Sequence, residues 1–321
     1  MSEQPDVSAA AHARSLLKRF GPFFALVVVS AFFGILRPET FLTWGNATIM
    51  LQQTVIIGIA ALGMTLVIVS GGIDLSVGSV IALCTIVVAR LLELGWSPLA
   101  AAGAGIAAGA ACGAFAGVFI TRLRLMPFIV TLGTMGIWRG AAKGLADEQP
   151  IYPDETWLNQ LMQVPASGLP AGVWLLLGCA LIVAAVMRYT RFGRHVFAVG
   201  SSEATARLCG VRVERLQFWV FTLGSAFAGL AGVLQFAYLT GGDPTTAVGL
   251  ELNIIAAVVI GGASLSGGQG TIAGTLAGAL LMTVVANGCT KLELANWVQE
   301  IVTGAIIVAA VLLDRLRQRR A

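Results

Sequence analysis

Ser70-Gly71-Gly72-Ile73-Asp74-Leu75-Ser76-Val77-Gly78-Ser79 interrupts two long apolar runs, and the reading of this stretch decides the fold. A carboxylate so close to hydrocarbon costs about 2.5–3.5 kcal/mol on insertion scales unless it is paired, hydrated or capping a helix. Gly71 and Gly72 admit the backbone angles that end a helix. Asp74 or Ser76 can then accept from the amides exposed at the start of the next helix, with Gly78 and Ser79 leading into it. On the residues alone, three roles stay open for Asp74: a cap at a tight turn, a contact to a solute, or a contact to a partner chain.

Working outward, the whole chain of 321 residues is 57% hydrophobic and 11% charged. A soluble domain has about 25% charged and 45–50% apolar residues, so lipid is the expected solvent. Stretches able to cross a hydrocarbon core of ~30 Å recur from Phe20 to Leu313. Placed between charge, Pro and polar clusters, they predict spans over 20–36, 47–69, 79–94, 98–120, 126–145, 171–187, 216–238, 251–265, 272–289 and 296–313. The fold class is therefore all-α, a polytopic membrane protein of about ten transmembrane helices. Residues 1–19 read as an N-terminal tail, 20–313 as a single membrane domain and 314–321 as a basic tail. The apolar run from Phe23 to Leu36 reads as a retained span rather than a removed signal peptide.

Fifteen of the 20 Lys and Arg residues fall on one set of alternate segments, around Arg14, Arg122, Arg188 to Arg215, and Arg315 to Arg320. The positive-inside rule then puts both termini in the cytoplasm. The same distribution makes the net charge of +4 a matter of membrane orientation, with no nucleic-acid partner implied. The five cysteines are far apart and the only histidines are His12 and His195, so no metal site is expected. Glycines at 103, 105, 109, 113 and 117 predict close helix packing.

Two connecting segments are long. The outer one, Ala146 to Pro170, is acidic and proline-rich and reads as an irregular surface segment able to touch a partner outside. The inner one, Arg188 to Arg215, contains a short helix-compatible stretch from Ser201 to Leu208: Ser201 or Ser202 can cap it, Glu203 suits its first turn, and Gly210 stands where it should stop. It either links two spans at the interface or serves as a docking element. A second helix break is expected at Gly261-Gly262-Ala263-Ser264-Leu265-Ser266-Gly267-Gly268, which repeats the pattern G-G-x-x-L-S-x-G of Gly71 to Gly78, with Ser264 in place of Asp74. Such breaks are tolerated at membrane depth only where protein or water covers them.

Three segments in this order, G-G-I-D-L-S-V-G-S, G-S-S-E-A-T-A-R-L-C-G-V and I-A-A-V-V-I-G-G-A-S-L-S-G-G-Q-G-T, resemble the permease subunits of ribose-type ABC importers, and the resemblance runs from about Phe20 to Leu313. It implies that the inner loop docks on an ATP-hydrolysing subunit through Ser201, Ser202, Glu203, Ala204, Arg207 and Gly210. Thr205 and Cys209 depart modestly from the family pattern. It further implies a second permease chain, as homodimer or heterodimer, and a solute-binding protein outside. The setting it implies is a bacterial cytoplasmic membrane, and the solute a small polar one such as a monosaccharide. ATP and Mg would be bound by the partner and no cofactor by this chain. The residues agree: a P-loop needs Gly-rich amides followed by Lys and Ser or Thr, and Lys18, Lys143 and Lys291 all lack that setting.

Polar residues inside apolar spans should face the bundle interior or a cavity, which makes Gln52, Gln53, Thr54, Asn253 and Asn287 candidate pathway residues, with Phe128 or Trp138 as an apolar wall. Interhelical hydrogen bonding is the alternative for each. An ion-coupled secondary transporter would want ionisable groups within spans, where only Asp74, Arg139 and Glu251 are available, all near predicted ends. A membrane-embedded enzyme would need clustered nucleophiles, paired carboxylates or metal ligands, and the sequence offers none.

Overall fold

The structure, a computed structural model, describes the backbone of residues 7–165 and 168–318 and the side chains of most residues from 21 to 312. The calls on residues 1–6 and 319–321 of the two tails lie outside it. The described residues form α1 (Val7–Leu36), α2 (Pro38–Phe41), α3 (Trp44–Val69), α4 (Val77–Glu93), α5 (Pro98–Arg122), α6 (Pro127–Leu145) and α7 (Trp157–Gln160). After the outer segment come α8 (Ala171–Tyr189), α9 (Arg191–Ser201), α10 (Glu203–Leu208), α11 (Val213–Leu239), α12 (Leu250–Ile260), α13 (Ile272–Lys291) and α14 (Asn296–Gln318).

The helices start where the sequence satisfies their free amides. Thr43 accepts from Asn46 N at 3.2 Å to open α3, Ser97 precedes Pro98 at the start of α5, and Thr271 accepts from Gly274 N at 3.1 Å to open α13. Each of the ten apolar stretches coincides with a helix. Five of these, α3, α5, α8, α11 and α13, are long and apolar enough to cross a bilayer, and apolar segments of α1, α12 and α14 are shorter.

α3 is apolar on all sides and almost wholly buried, as expected of a helix surrounded by others. It packs on α11 and α13, and α11 lies along α5. Four of the five glycines of the α5 run, at 105, 109, 113 and 117, face α11, where a Cβ on Gly109 would stand 2.6 Å from Ser225 O and 2.7 Å from Gly229 Cα. Gly103 is out of phase and exposed. The close packing expected from this run is therefore mainly a property of the α5–α11 interface, with Gly105 also close against Val88 of α4.

Three boundaries differ from the sequence reading. α1 begins at Val7, so the stretch read as a tail is largely helical. The span expected over 251–265 is an eleven-residue helix, α12, that stops at Gly261. The inner loop holds two helices, because Arg191–Ser201 is helical ahead of the predicted stretch.

Candidate functional site: a docking segment joined to two helix breaks

Thr190 opens α9 by accepting from Gly193 N at 3.2 Å, and Phe192, Val196 and Val199 recur on one face against the core. Ser202, at φ −163° and ψ 105°, breaks the helix and reopens it as α10 by accepting from Thr205 N at 3.2 Å. Gly210, at φ +82°, ends it. Ala206 is buried and fixes α10 in place, while Ser201, Ser202, Glu203, Ala204, Arg207 and Gly210 are all exposed. The six residues expected to dock thus share one surface. Arg207 joins Glu203 at 2.9 Å and Glu214 at 2.5 Å. The hydrogen bond to Glu214 and then that to Glu203 raise its pKa above the ordinary value, so it stays charged throughout the working pH range.

The end of α9 meets both helix breaks largely through backbone. A Cβ on Gly200 would collide with the carbonyl oxygen of Val69, at the end of α3, and stand 2.5 Å from Gly268 N. Gly268 N donates to that same Val69 oxygen at 2.9 Å. A Cβ on Gly267 would lie 2.6 Å from Gly200 O and 3.0 Å from Gly71 Cα. Three segments distant in sequence therefore converge where no side chain fits.

The breaks are built alike but one residue out of register. α3 ends with Gly71 at φ +88°, Gly71 N bonding to Ile68 O at 2.9 Å and Gly72 N to Val67 O at 2.9 Å. α12 ends with Gly262 at φ +94°, Gly262 N bonding to Val259 O at 2.9 Å and Ala263 N to Val258 O at 3.1 Å. Both are left-handed terminations in which the fifth and third preceding carbonyls are satisfied. The turns that follow keep the sequence register instead: Ser76 N donates to Asp74 Oδ1 at 2.8 Å and Ser266 N to Ser264 Oγ at 3.2 Å. Asp74 is buried and also accepts from Ser76 Oγ at 2.6 Å and Ser225 Oγ at 3.3 Å. It serves the turn just before α4 rather than α4 itself, whose N-cap, Ser76, makes no side-chain cap.

Non-helical backbone also runs from Thr240 to Gly249. Gly242 pairs with Ile151 of the outer segment in both directions at 2.8 Å, and Ala247 lies against Gly78 of α4. Arg139 of α6, half-buried, donates to the carbonyls of Pro244 at 2.9 Å and Thr246 at 2.6 Å, and Gln235 donates to Thr246 Oγ1 at 2.9 Å. Irregular backbone beside lipid needs such internal partners. Sequence reasoning noted Arg139 among the few ionisable groups near span ends but gave it no structural role.

The seven expected pathway residues make separate contacts, Thr54 bonding within its own helix to Met50 O at 2.7 Å. Gln52 donates to Met162 O, tying α3 to the outer segment, and Asn287 exchanges two hydrogen bonds of 2.9 Å with Asn46. Gln53 and Asn253 are half-exposed, Phe128 is exposed, and Trp138 stands edge-on to Phe115 with ring centres 5.3 Å apart. Among the described residues no side-chain hydrogen bond or ring contact joins any two of the seven.

An apolar helical bundle with broken helices bound to an exposed, charged helical pair defines a membrane transport component. The chain belongs to the family described as the branched-chain amino acid transport system / permease component, which matches residues 46–311. The resemblance to ribose-type ABC importer permeases holds at full length. The chain is 39% identical over 298 residues to the ribose import permease protein RbsC of Escherichia coli K12, covering 92% of each. It is 37% identical over 308 residues to the protein of that name from Bacillus subtilis strain 168, covering 95% of each. The D-allose transport system permease protein AlsC of Escherichia coli K12 is 36% identical, over 93% of this chain and 92% of its own. An inward-facing structure described as a metal-chelate type ABC transporter shares the fold, with a TM-score of 0.52 at 18% identity over 92% of this chain and 98% of that one.

Proposed function

We infer that this chain is the membrane-spanning subunit of an ATP-driven importer that admits a monosaccharide. The observation that carries the reading is the backbone junction at Gly200, which ties the exposed α9–α10 unit to the ends of both α3 and α12. A push on α10 has no soft side chain there to absorb it, so it is passed to two discontinuous helices at once.

In this reading α10, through Ser202, Glu203, Ala204 and Arg207, seats on an ATP-hydrolysing subunit that binds ATP and Mg. A second permease chain completes the pathway, and a solute-binding protein delivers sugar to the outer face. Each ligand acts by favouring one conformation: loaded binding protein the outward one, ATP-driven closure of the motor the reverse. The relatives that import ribose and allose support a sugar as solute. About ten apolar segments cross the bacterial cytoplasmic membrane, the eleven-residue α12 counting together with the break that follows it, with both termini inside. A reporter fused after Arg320 then reads as cytoplasmic, and an external reading would remove this topology.

The deciding experiment reconstitutes the chain with its co-purified ATPase and binding protein and measures uptake of labelled pentoses and hexoses. ATP-dependent uptake of one of them is expected. Uptake by this chain alone on an ion gradient would sink the reading.

A further inference from the structure

The cytoplasmic end of the bundle carries a second feature beside α10. A cavity of about 610 Å³ opens between α10, the start of α11 and the turn joining α5 to α6. One wall is charged, formed by Glu203, Arg207 and Glu214; the opposite wall is the turn itself, with Arg124, Leu125 and Met126. Arg124 adopts φ +53°, a left-handed conformation uncommon for a side chain of its size. The turn is nonetheless apolar and open, with Met126 70% and Leu123 60% exposed, and Leu208, at the end of α10 next to Arg207, is 88% exposed.

We propose that the α5–α6 turn is a second docking element for the ATP-hydrolysing subunit, which seats an apolar side chain in the cavity and sets acidic residues against Arg122 and Arg124 of the turn. The proposal rests on the reading of α10 as the first docking element. It follows from continuity, because both walls of the cavity belong to one surface that α10 shares. It follows also from charge. Arg207 is already satisfied by its two carboxylates, whereas among the described residues neither Arg122 nor Arg124 forms an ion pair, so the turn side attracts acid. Contact at two points also stops the motor from pivoting about α10, which a lever needs if its push is to have a direction.

The test places a photo-crosslinking residue at Met126 or at Leu208 in the intact importer, co-expressed with its ATPase in native membranes. Covalent adducts with the ATPase from both positions are expected. An adduct from Leu208 with only lipid or no adduct from Met126 overturns the second docking element and leaves the first. Adducts from neither position overturn both. In parallel, R124E should lower the ATPase retained on the purified permease about tenfold, equivalent to about 1.4 kcal/mol, with the yield of inserted permease unchanged; retention at the unsubstituted level counts against the proposal.

Discussion

The breaks after α3 and after α12 use one design with different fastenings. The first is pinned by chemistry: Asp74 gathers three donors, and Thr131 of α6 reaches over to donate to Ile73 O at 3.1 Å. The second has bonds within its own turn, with Ser266 N donating to Ser264 Oγ at 3.2 Å, and reaches the first through Gly268 N to Val69 O at 2.9 Å, with Gly267 and Gly268 also close against the end of α9. A fixed element beside one held by contact with the docking segment is what a rocking mechanism requires. In the function proposed above, the first break would be the pivot and the second would follow α9 when the motor pushes.

The largest effect should come from removing the contact common to both. G200V cannot fit against Val69 O without displacing α9, and it should reduce uptake by about a hundredfold or more, as misplacement by about 1 Å at a distant site does; normal transport would show that the junction is incidental. Next, D74A leaves two hydroxyls and an amide of the first break without their acceptor, and should lower the stability of the detergent-purified chain by about 3 kcal/mol. D74N keeps an acceptor oxygen and should recover part of this, measured as a melting shift. G71A and G262A each force a left-handed conformation on alanine and should cost about 1–2 kcal/mol. If G71A affects stability and G262A affects transport more, the division into pivot and follower is sharpened; equal effects on both readouts would break it. Smallest, T131V removes one hydrogen bond and should cost about 1 kcal/mol with little change in uptake.

Much of this was legible in the sequence because it is local. Gly71 and Gly262, a carboxylate and serines at set spacing, and Ser202 seven residues before an expected αL stop at Cys209-Gly210 all act over a few residues. The register slip between the breaks was not legible, because the pattern G-G-x-x-L-S-x-G does not say which glycine of each pair turns left-handed. α9 was missed because Gly193, Gly200 and the three side chains Arg191, Arg194 and His195 mask the apolar positions 192, 196 and 199. The role of Arg139 was hidden for a different reason: its partners are carbonyls of Pro244 and Thr246, over a hundred residues away, and carbonyl placement leaves no mark on side-chain identity.

The cysteines have a further use. Cys84, Cys112 and Cys289 are buried and Cys179 is half-buried, leaving Cys209, directly after α10, exposed. The unmodified protein thus carries its own reporter thiol on the surface that the motor would cover. Its rate of alkylation by a membrane-impermeant maleimide, applied to inside-out vesicles, can follow engagement and release through the nucleotide cycle without any engineered label.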